Sequence, residues 1–280
     1  MSVQTVPATS LPHAERAALW TEAFSDYYAP GVITTEALLG LERAFDLDVG
    51  ASRLVIEDGK PVAFALLGIR GKRGWVGGMG VIPSARRRGH GERVMQAVLE
   101  AARDRGLATV RLEVLVQNVQ AIPLYEALGF RTLRKVEVWD RAADAPALVA
   151  PAVEARTLDV DAAASRLGRA RLDEAPWQRE LATARVAFPD LTAIECDGAL
   201  AVFRASPERV GLLEVAALDE GAEAEGAGLD AVLAAIFSTH ASRPARLLNL
   251  PEGDPAGPAL GRAGLAVSHR QWEMEIPIGA

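Results

Sequence analysis

Residues 81–105 read VIPSARRRGHGERVMQAVLEAARDR. Trp75 to Ile82 has strand character, and Pro83 stops it by removing a ladder donor. Gly91 to Arg105 is a helix, with Val94, Val98, Leu99 and Ala102 as its apolar stripe, and Gly106 ends it. Between strand and helix lies the turn Arg86-Arg87-Arg88-Gly89-His90-Gly91. The first N–H groups of a helix have no intrahelical partners, and the helix dipole is positive there. Glycines let an anion approach such a backbone without Cβ interference, and three arginines add charge. Strand, stop, basic turn and helix together describe a phosphate cradle.

Upstream, His13 to Tyr28 reads as an amphipathic helix carrying Leu19, Trp20, Phe24 and Tyr27 or Tyr28, stopped by Pro30-Gly31. Thr35 to Phe45 is a second helix with Thr34 or Thr35 as cap. Arg53 to Glu57 and Pro61 to Gly68 are strands about the turn Asp58-Gly59, a hairpin signal. Downstream come the strand Val110 to Val116, a helix from Ala121 to Leu128 ended by Gly129, and a strand from Arg131 to Trp139. The order is two helices, three strands, helix, strand, helix, strand, which belongs to the α/β (α+β) class.

The chain has 280 residues, 50% hydrophobic and 24% charged, enough for two domains with a core each. Its net charge of −7 gives a nucleic-acid partner no global support. The single cysteine, Cys196, excludes an intrachain disulfide and a thiolate metal cage, and is expected to pack in a strand. His13, His90, His240 and His269 lack ligand spacing, so no metal is expected. No leader and no membrane-length apolar run is read, so the expected location is cytoplasmic.

Ala142 to Ala155, rich in Ala and Pro, reads as a linker between domains at 1–141 and 156–280. The second half repeats the first in weakened form. The hairpin Glu57-Asp58-Gly59 recurs as Cys196-Asp197-Gly198. The turn Arg86 to Gly91 aligns with Glu223 to Gly228, keeping both glycines, and Pro123 to Phe130 aligns with Pro258 to Leu265.

Val81-x-Pro83-x-x-Arg86-x-x-Gly89-x-Gly91, followed by Asn118-x-x-Ala121-x-x-Leu124-Tyr125-x-x-x-Gly129-Phe130, resembles the GCN5-related N-acetyltransferases (GNAT). The resemblance implies two tandem GNAT-like domains, each a mixed, mostly antiparallel sheet flanked by helices, the second degenerate. It implies acetyl-CoA as cosubstrate and a primary amine, of a small molecule or a peptide N-terminus, as acceptor. The amides of Arg87, Arg88, Gly89, His90, Gly91 and Glu92 would hold the pyrophosphate, with Arg86 adding charge and the His90 ring left in solvent. The strand ending at Val81 would splay from the strand at Val114, exposing backbone near Met79 and Val81 to the pantetheine arm. Asn118 and Ala121 would steady that arm, and Tyr125 would protonate the departing thiolate.

Many family members carry a Glu base on the strand where this chain has Gly77-Gly78-Met79-Gly80. Glu113 is the expected replacement, at a position that looks like the base of the ribosomal-protein N-terminal acetyltransferases; a strand-face salt bridge and a water relay are the alternatives. The glycines would leave a roomy acceptor site, with Tyr27, Tyr28 and Trp75 as lining. In the second half, Arg86 and Arg88 become Glu223 and Glu225, Tyr125 becomes Leu260 and Glu113 becomes Asn249. Like charges repel in a phosphate site, so the second copy is expected to keep the fold without the chemistry, and to close the acceptor pocket or build a homodimer. A CoA-binding sensor without turnover is the competing reading of the whole chain.

Overall fold

A computed structural model describes residues 2–27, 32–151, 154–168, 175–187, 190–218 and 222–279, apart from the side chains of residues 184, 187 and 222–225. The chain forms two compact units. The first is Met1–Leu133 with Trp272–Ala280, and the second is Arg134–Gln271.

In the first unit, helices α1 (His13–Ala23) and α2 (Thr35–Ala44) precede strands β2 (Arg53–Glu57), β3 (Lys60–Arg70) and β4 (Arg73–Val81). Helix α3 (His90–Asp104), strand β5 (Thr109–Leu115) and helix α4 (Ala121–Ala127) follow. A short strand β1 (Val3–Pro7), absent from the sequence reading, pairs antiparallel with β2. The β2–β3 turn has φ 47° at Asp58 and 80° at Gly59, the left-handed pair that an Asp-Gly hairpin requires. Thr34 caps α2, its hydroxyl accepting from Ala37 N at 3.1 Å. Helix α1 stops at Ala23 rather than continuing to Tyr28, and Tyr28 lies outside the described residues. Val94, Met95, Val98, Leu99 and Ala102 of α3 pack with Leu54, Phe64, Leu67, Val110 and Leu112 in one core.

The second unit repeats this plan. Strand β7 (Arg156–Leu158) and helices α5 (Val160–Leu167) and α6 (Leu181–Ala187) lead into strands β8 (Thr192–Cys196), β9 (Ala199–Ala205) and β10 (Val210–Ala217), a meander with the same Asp-Gly turn, φ 48° at Asp197 and 73° at Gly198. Helix α7 (Ala222–Thr239) packs its Leu229, Val232, Leu233, Ile236 and Phe237 into the core, and strand β11 (Ala245–Pro251) pairs parallel with β10. Cys196 is buried in β8, as expected.

Two expectations are corrected. Glu223 to Gly228 is not a turn before a helix but part of α7: without the proline stop and arginines of the first copy, an Ala/Glu-rich run stays helical. A Cβ at Gly228 would stand 2.3 Å from the carbonyl oxygen of Asp197, so that glycine is kept for close packing. The domain boundary also moves. Strand β6 (Arg131–Arg141) forms where predicted, but from Arg134 onward it belongs to the second unit, antiparallel to β11. The last strand of the first unit's sheet is instead the end of β12 (Leu265–Pro277), which neighbours β5. Alternation predicts a strand but does not name its partner. Among the described residues no helix is long and apolar enough to cross a membrane.

Candidate active site

Strands β4 and β5 run parallel, in register only from Arg73↔Thr109 to Trp75↔Arg111. Beyond that pair they separate, although β4 continues to Val81 and β5 to Leu115. The register of β4 against β3 slips between Leu66↔Gly78 and Leu67↔Val76, leaving Gly77 as a bulge. A bulge sharpens the local twist and bends its strand, which turns the end of β4 away from β5. The splay expected at Val81 and Val114 is therefore present. A Cβ at Gly91 would touch Val81, Met79 and Leu124 side chains at 3.4 to 4.0 Å, so the end of β4, the start of α3 and α4 converge at the opening.

The turn before α3 has Arg87 at φ 62° and Gly89 at φ 80°. The first α3 bond is Arg93 N to Gly89 O at 3.0 Å; the amides of residues 87–92 have no partner among the described residues. No atom lies within 4 Å of a Cβ placed on Gly89. Left-handed residues alternating with ordinary ones turn successive N–H groups into one concavity, so this segment fits a pyrophosphate.

The arginines divide their work differently from expectation. Arg86 is a clamp: Nη1 and Nη2 donate to Asp26 at 2.7 Å each, Nε to Val81 O at 3.1 Å and Nη2 to Ala23 O at 3.1 Å. That hydrogen bonding holds the Asp26 carboxyl below its ordinary value. Arg86 thus ties the end of α1 to the end of β4. Arg88 donates to Glu57 at 2.6 Å. Only Arg87 of the three is without an ion pair among the described residues, and it is exposed. The ring of His90 is a further correction: it is buried, 3.3 Å from Glu57, rather than solvated. Glu92 is exposed and accepts from Gln96 at 3.0 Å.

Glu113 lies on β5 just past the last β4 pair. Its Oε2 accepts from Trp75 Nε1 at 2.8 Å. Trp75 is 4% exposed, tilted on Phe45 at 5.4 Å, and its ring covers Gly77. Trp20 covers Gly78 in the same way, and Ala23 with Phe64 covers Gly80. The glycines therefore do not open a roomy site; they make space for packed aromatics. Trp75 holds the carboxylate rather than lining an open pocket.

Tyr125 on α4 is 7% exposed and packs edge-on to Phe130 at 5.9 Å. Burial, with a contribution from the nearby Tyr27, pushes its phenol well above the ordinary value. Tyr27 is half-buried against Phe24. Asn118 serves α4 directly, its Oδ1 accepting from Ala121 N at 3.2 Å. Sequence reasoning missed Asp26 and Glu57, which engage arginines far away in the chain, because nothing local marks a long-range ion partner.

The second unit has the same splay. Strands β10 and β11 pair over Val210↔Ala245 to Leu212↔Leu247 only. Here the gap is filled from within. Arg179, 3% exposed, donates from Nε to Leu213 O at 2.9 Å, from Nη1 to Asn249 O at 3.3 Å and from Nη2 to Glu214 at 2.9 Å. Asn249, at the position matching Glu113, is held between Gln178 and Gln271. Leu260, matching Tyr125, is fully buried.

Comparison with known proteins agrees with this geometry. The model of the acetyltransferase (GNAT) family matches residues 17–130. A [ribosomal protein bS18]-alanine N-acetyltransferase of Escherichia coli (strain K12) is 35% identical over 81 residues, 28% of this chain and 55% of that protein. The chain thus spans about half the length of that curated relative. A GCN5-related N-acetyltransferase structure from Sphaerobacter thermophilus superposes with a TM-score of 0.75 at 21% identity, covering 99% of this chain and 96% of the other. A tandem GNAT protein from the clavulanic acid biosynthesis pathway gives 0.65 at 17% identity, covering 100% and 99%. These two likenesses show the tandem fold. The likeness to the acetyltransferase (GNAT) family lies over residues 17–130, in the first unit.

Proposed function

We propose that the first unit is an acetyl-CoA-dependent N-acetyltransferase acting on a primary amine of a small molecule or a peptide N-terminus. The observation that carries this reading is the run of amides at residues 87–92 that have no partner among the described residues, set beside the splayed ends of β4 and β5. Acetyl-CoA supplies the activated acetyl thioester. The amides of Arg87 to Glu92 and the charge of Arg87 bind the pyrophosphate. Backbone near Met79 and Val81 directs the pantetheine arm into the splay, and Asn118 fixes the start of α4 beside it. Glu113, held by Trp75, takes the proton of the acceptor ammonium so that a neutral amine attacks. Tyr125 Oη gives its proton to the departing sulfur. Holding both reactants at the mouth of one splay supplies much of the rate.

The relative that acetylates the alanine of ribosomal protein bS18 supports including a peptide N-terminus in the acceptor panel. The test is to titrate acetyl-CoA with a panel of small amines and short peptides while following free thiol. Amine-dependent thiol release is expected; saturable binding with no release for any acceptor would instead support a CoA sensor. With an acceptor in hand, Glu113→Gln is expected to flatten the rise of kcat/KM with pH. An unaltered profile would hand the proton to water.

A further inference from the structure

The register of β4 with β3 shows which backbone groups the splay leaves open. Ile82 N donates to Val62 O at 3.0 Å, one step beyond the pair Ala63↔Val81. Val81 is therefore in a non-hydrogen-bonded pair, and Met79, across from Ala65, is in the next one back. The N–H and C=O of residues in such pairs point away from the partner strand. At Met79 and Val81 they point to the side where β4 has parted from β5, whose pairing ends at Trp75↔Arg111. The last carbonyl of this edge already has a donor from the chain, Arg86 Nε at 3.1 Å from Val81 O. Nη2 of the same guanidinium reaches Ala23 O at 3.1 Å, and Nη1 and Nη2 each reach an oxygen of Asp26 at 2.7 Å. Four of the five N–H donors of Arg86 are thereby taken. The two-pronged pairing with Asp26 is the geometry in which even an exposed ion pair fixes a side chain.

We propose that Arg86 and Asp26 are positioning residues for the pantetheine arm, and that Arg86, despite its place in the basic turn, takes no part in holding phosphate. The proposal rests on the reading of this splay as an acetyl-CoA site. Bonded to Val81 O, the guanidinium fixes the orientation of the last peptide of β4, downstream of the Gly77 bulge that bends the strand. Bonded to Ala23 O and Asp26, it ties that peptide to the end of α1. A strand end that has left its neighbour has no ladder on that side to hold it, so this anchor sets the edge along which the arm pairs. An edge fixed before binding costs less ordering when the ligand arrives. To reach a phosphate, Arg86 would have to give up a carboxylate and two carbonyls at once. Arg87, which has no ion pair among the described residues, gives up nothing.

The test compares two ligands by isothermal titration into the full chain. Acetyl-CoA carries both the pyrophosphate and the arm, and ADP carries the pyrophosphate alone. Arg86→Gln should weaken acetyl-CoA by about 10-fold, the worth of a hydrogen bond from a charged group, and change ADP by less than about 2-fold. Asp26→Asn should move the ratio of the two affinities in the same direction, by about 3-fold. Arg87→Gln should instead weaken both ligands alike. ADP binding kept by the first two variants also shows that their cradle is folded. Equal weakening of both ligands by Arg86→Gln would make Arg86 a phosphate ligand and overturn the proposal, as would an unchanged affinity for acetyl-CoA. So would tighter binding of both ligands in Asp26→Asn, the sign of a guanidinium released to the phosphates. Whether the wild type binds acetyl-CoA at all decides the underlying reading, and the ratio between the ligands decides this one.

Discussion

Tyr125→Phe is expected to slow acetyl transfer by about 10²- to 10⁴-fold, the usual worth of a positioned general acid, with little change in the Kd of acetyl-CoA. The reason is the surroundings of the phenol. Tyr125 is 7% exposed, and burial raises its affinity for the proton. The group therefore stays protonated throughout the working range and has a proton to give. Phenylalanine keeps the ring that meets Phe130 edge-on at 5.9 Å, so packing is preserved while Oη is lost. Steady-state turnover beside a direct binding titration separates the two effects. An unchanged kcat would remove Tyr125 as the acid.

The same substitution has a signature in stability. A phenol whose folded value is raised above the ordinary 10.0 favours the native state fully below that pH, and the contribution is lost as pH rises through the folded value. Wild type should therefore lose stability above about pH 10 more steeply than Tyr125→Phe.

Arg179→Ala is expected to destabilise the second unit by about 3–5 kcal/mol, the cost of breaking a buried ion pair from one side. The guanidinium spans the gap between β10 and β11, bonding Leu213 O, Asn249 O and Glu214. Its side chain is 4% exposed and that of Glu214 2%. Removing it takes a charged donor from the buried Glu214 carboxylate, whose Oε1 still accepts from Val215 N at 3.1 Å, and a donor from each of two strand carbonyls. Replacing both members by apolar residues, as in Arg179→Met with Glu214→Leu, should cost less than the single change because no charge is stranded. Trp177, buried in the same short turn, gives a fluorescence probe local to this unit in a denaturant titration. A loss below about 1 kcal/mol would mean that water reaches Glu214 and that the gap is not sealed.

The contrast between the two splays supports the proposal that the second copy keeps the fold without the chemistry. In the first unit the strands part and the neighbouring amides have no partners among the described residues. In the second, a guanidinium from the chain itself occupies the corresponding gap, and the segment matching the cradle has become helix. The substitutions to Glu223 and Glu225 are read from the sequence alone. The plug by Arg179 could not be, since its partners are brought to it only by folding.

What was legible followed locality. The Asp-Gly hairpins at 58–59 and 197–198 and the limits of α3 depend on a few adjacent residues, and the structure has them where the sequence puts them. The parting of β4 from β5 was anticipated from the resemblance, while its physical agent, the Gly77 bulge, emerges only from the register with β3. Arg86 was read as a ligand for phosphate because its partner Asp26 is distant in sequence. His90 was read as solvated because Glu57, which meets it at the start of α3, sits on β2, distant in sequence. Most consequential was the last strand of each unit: β6 and β12 have ordinary alternating patterns, but their choice of neighbour is a long-range matter. That choice is what brings the end of β12 into the first unit's sheet beside β5.

The most direct measurement is isothermal titration of acetyl-CoA into the full chain. One site per chain is predicted, filled at the Arg87–Gly91 cradle and therefore lost in Gly89→Val, where a β-branched residue cannot readily hold the φ of 80°. Two sites per chain, or one site indifferent to Gly89→Val, would contradict the account.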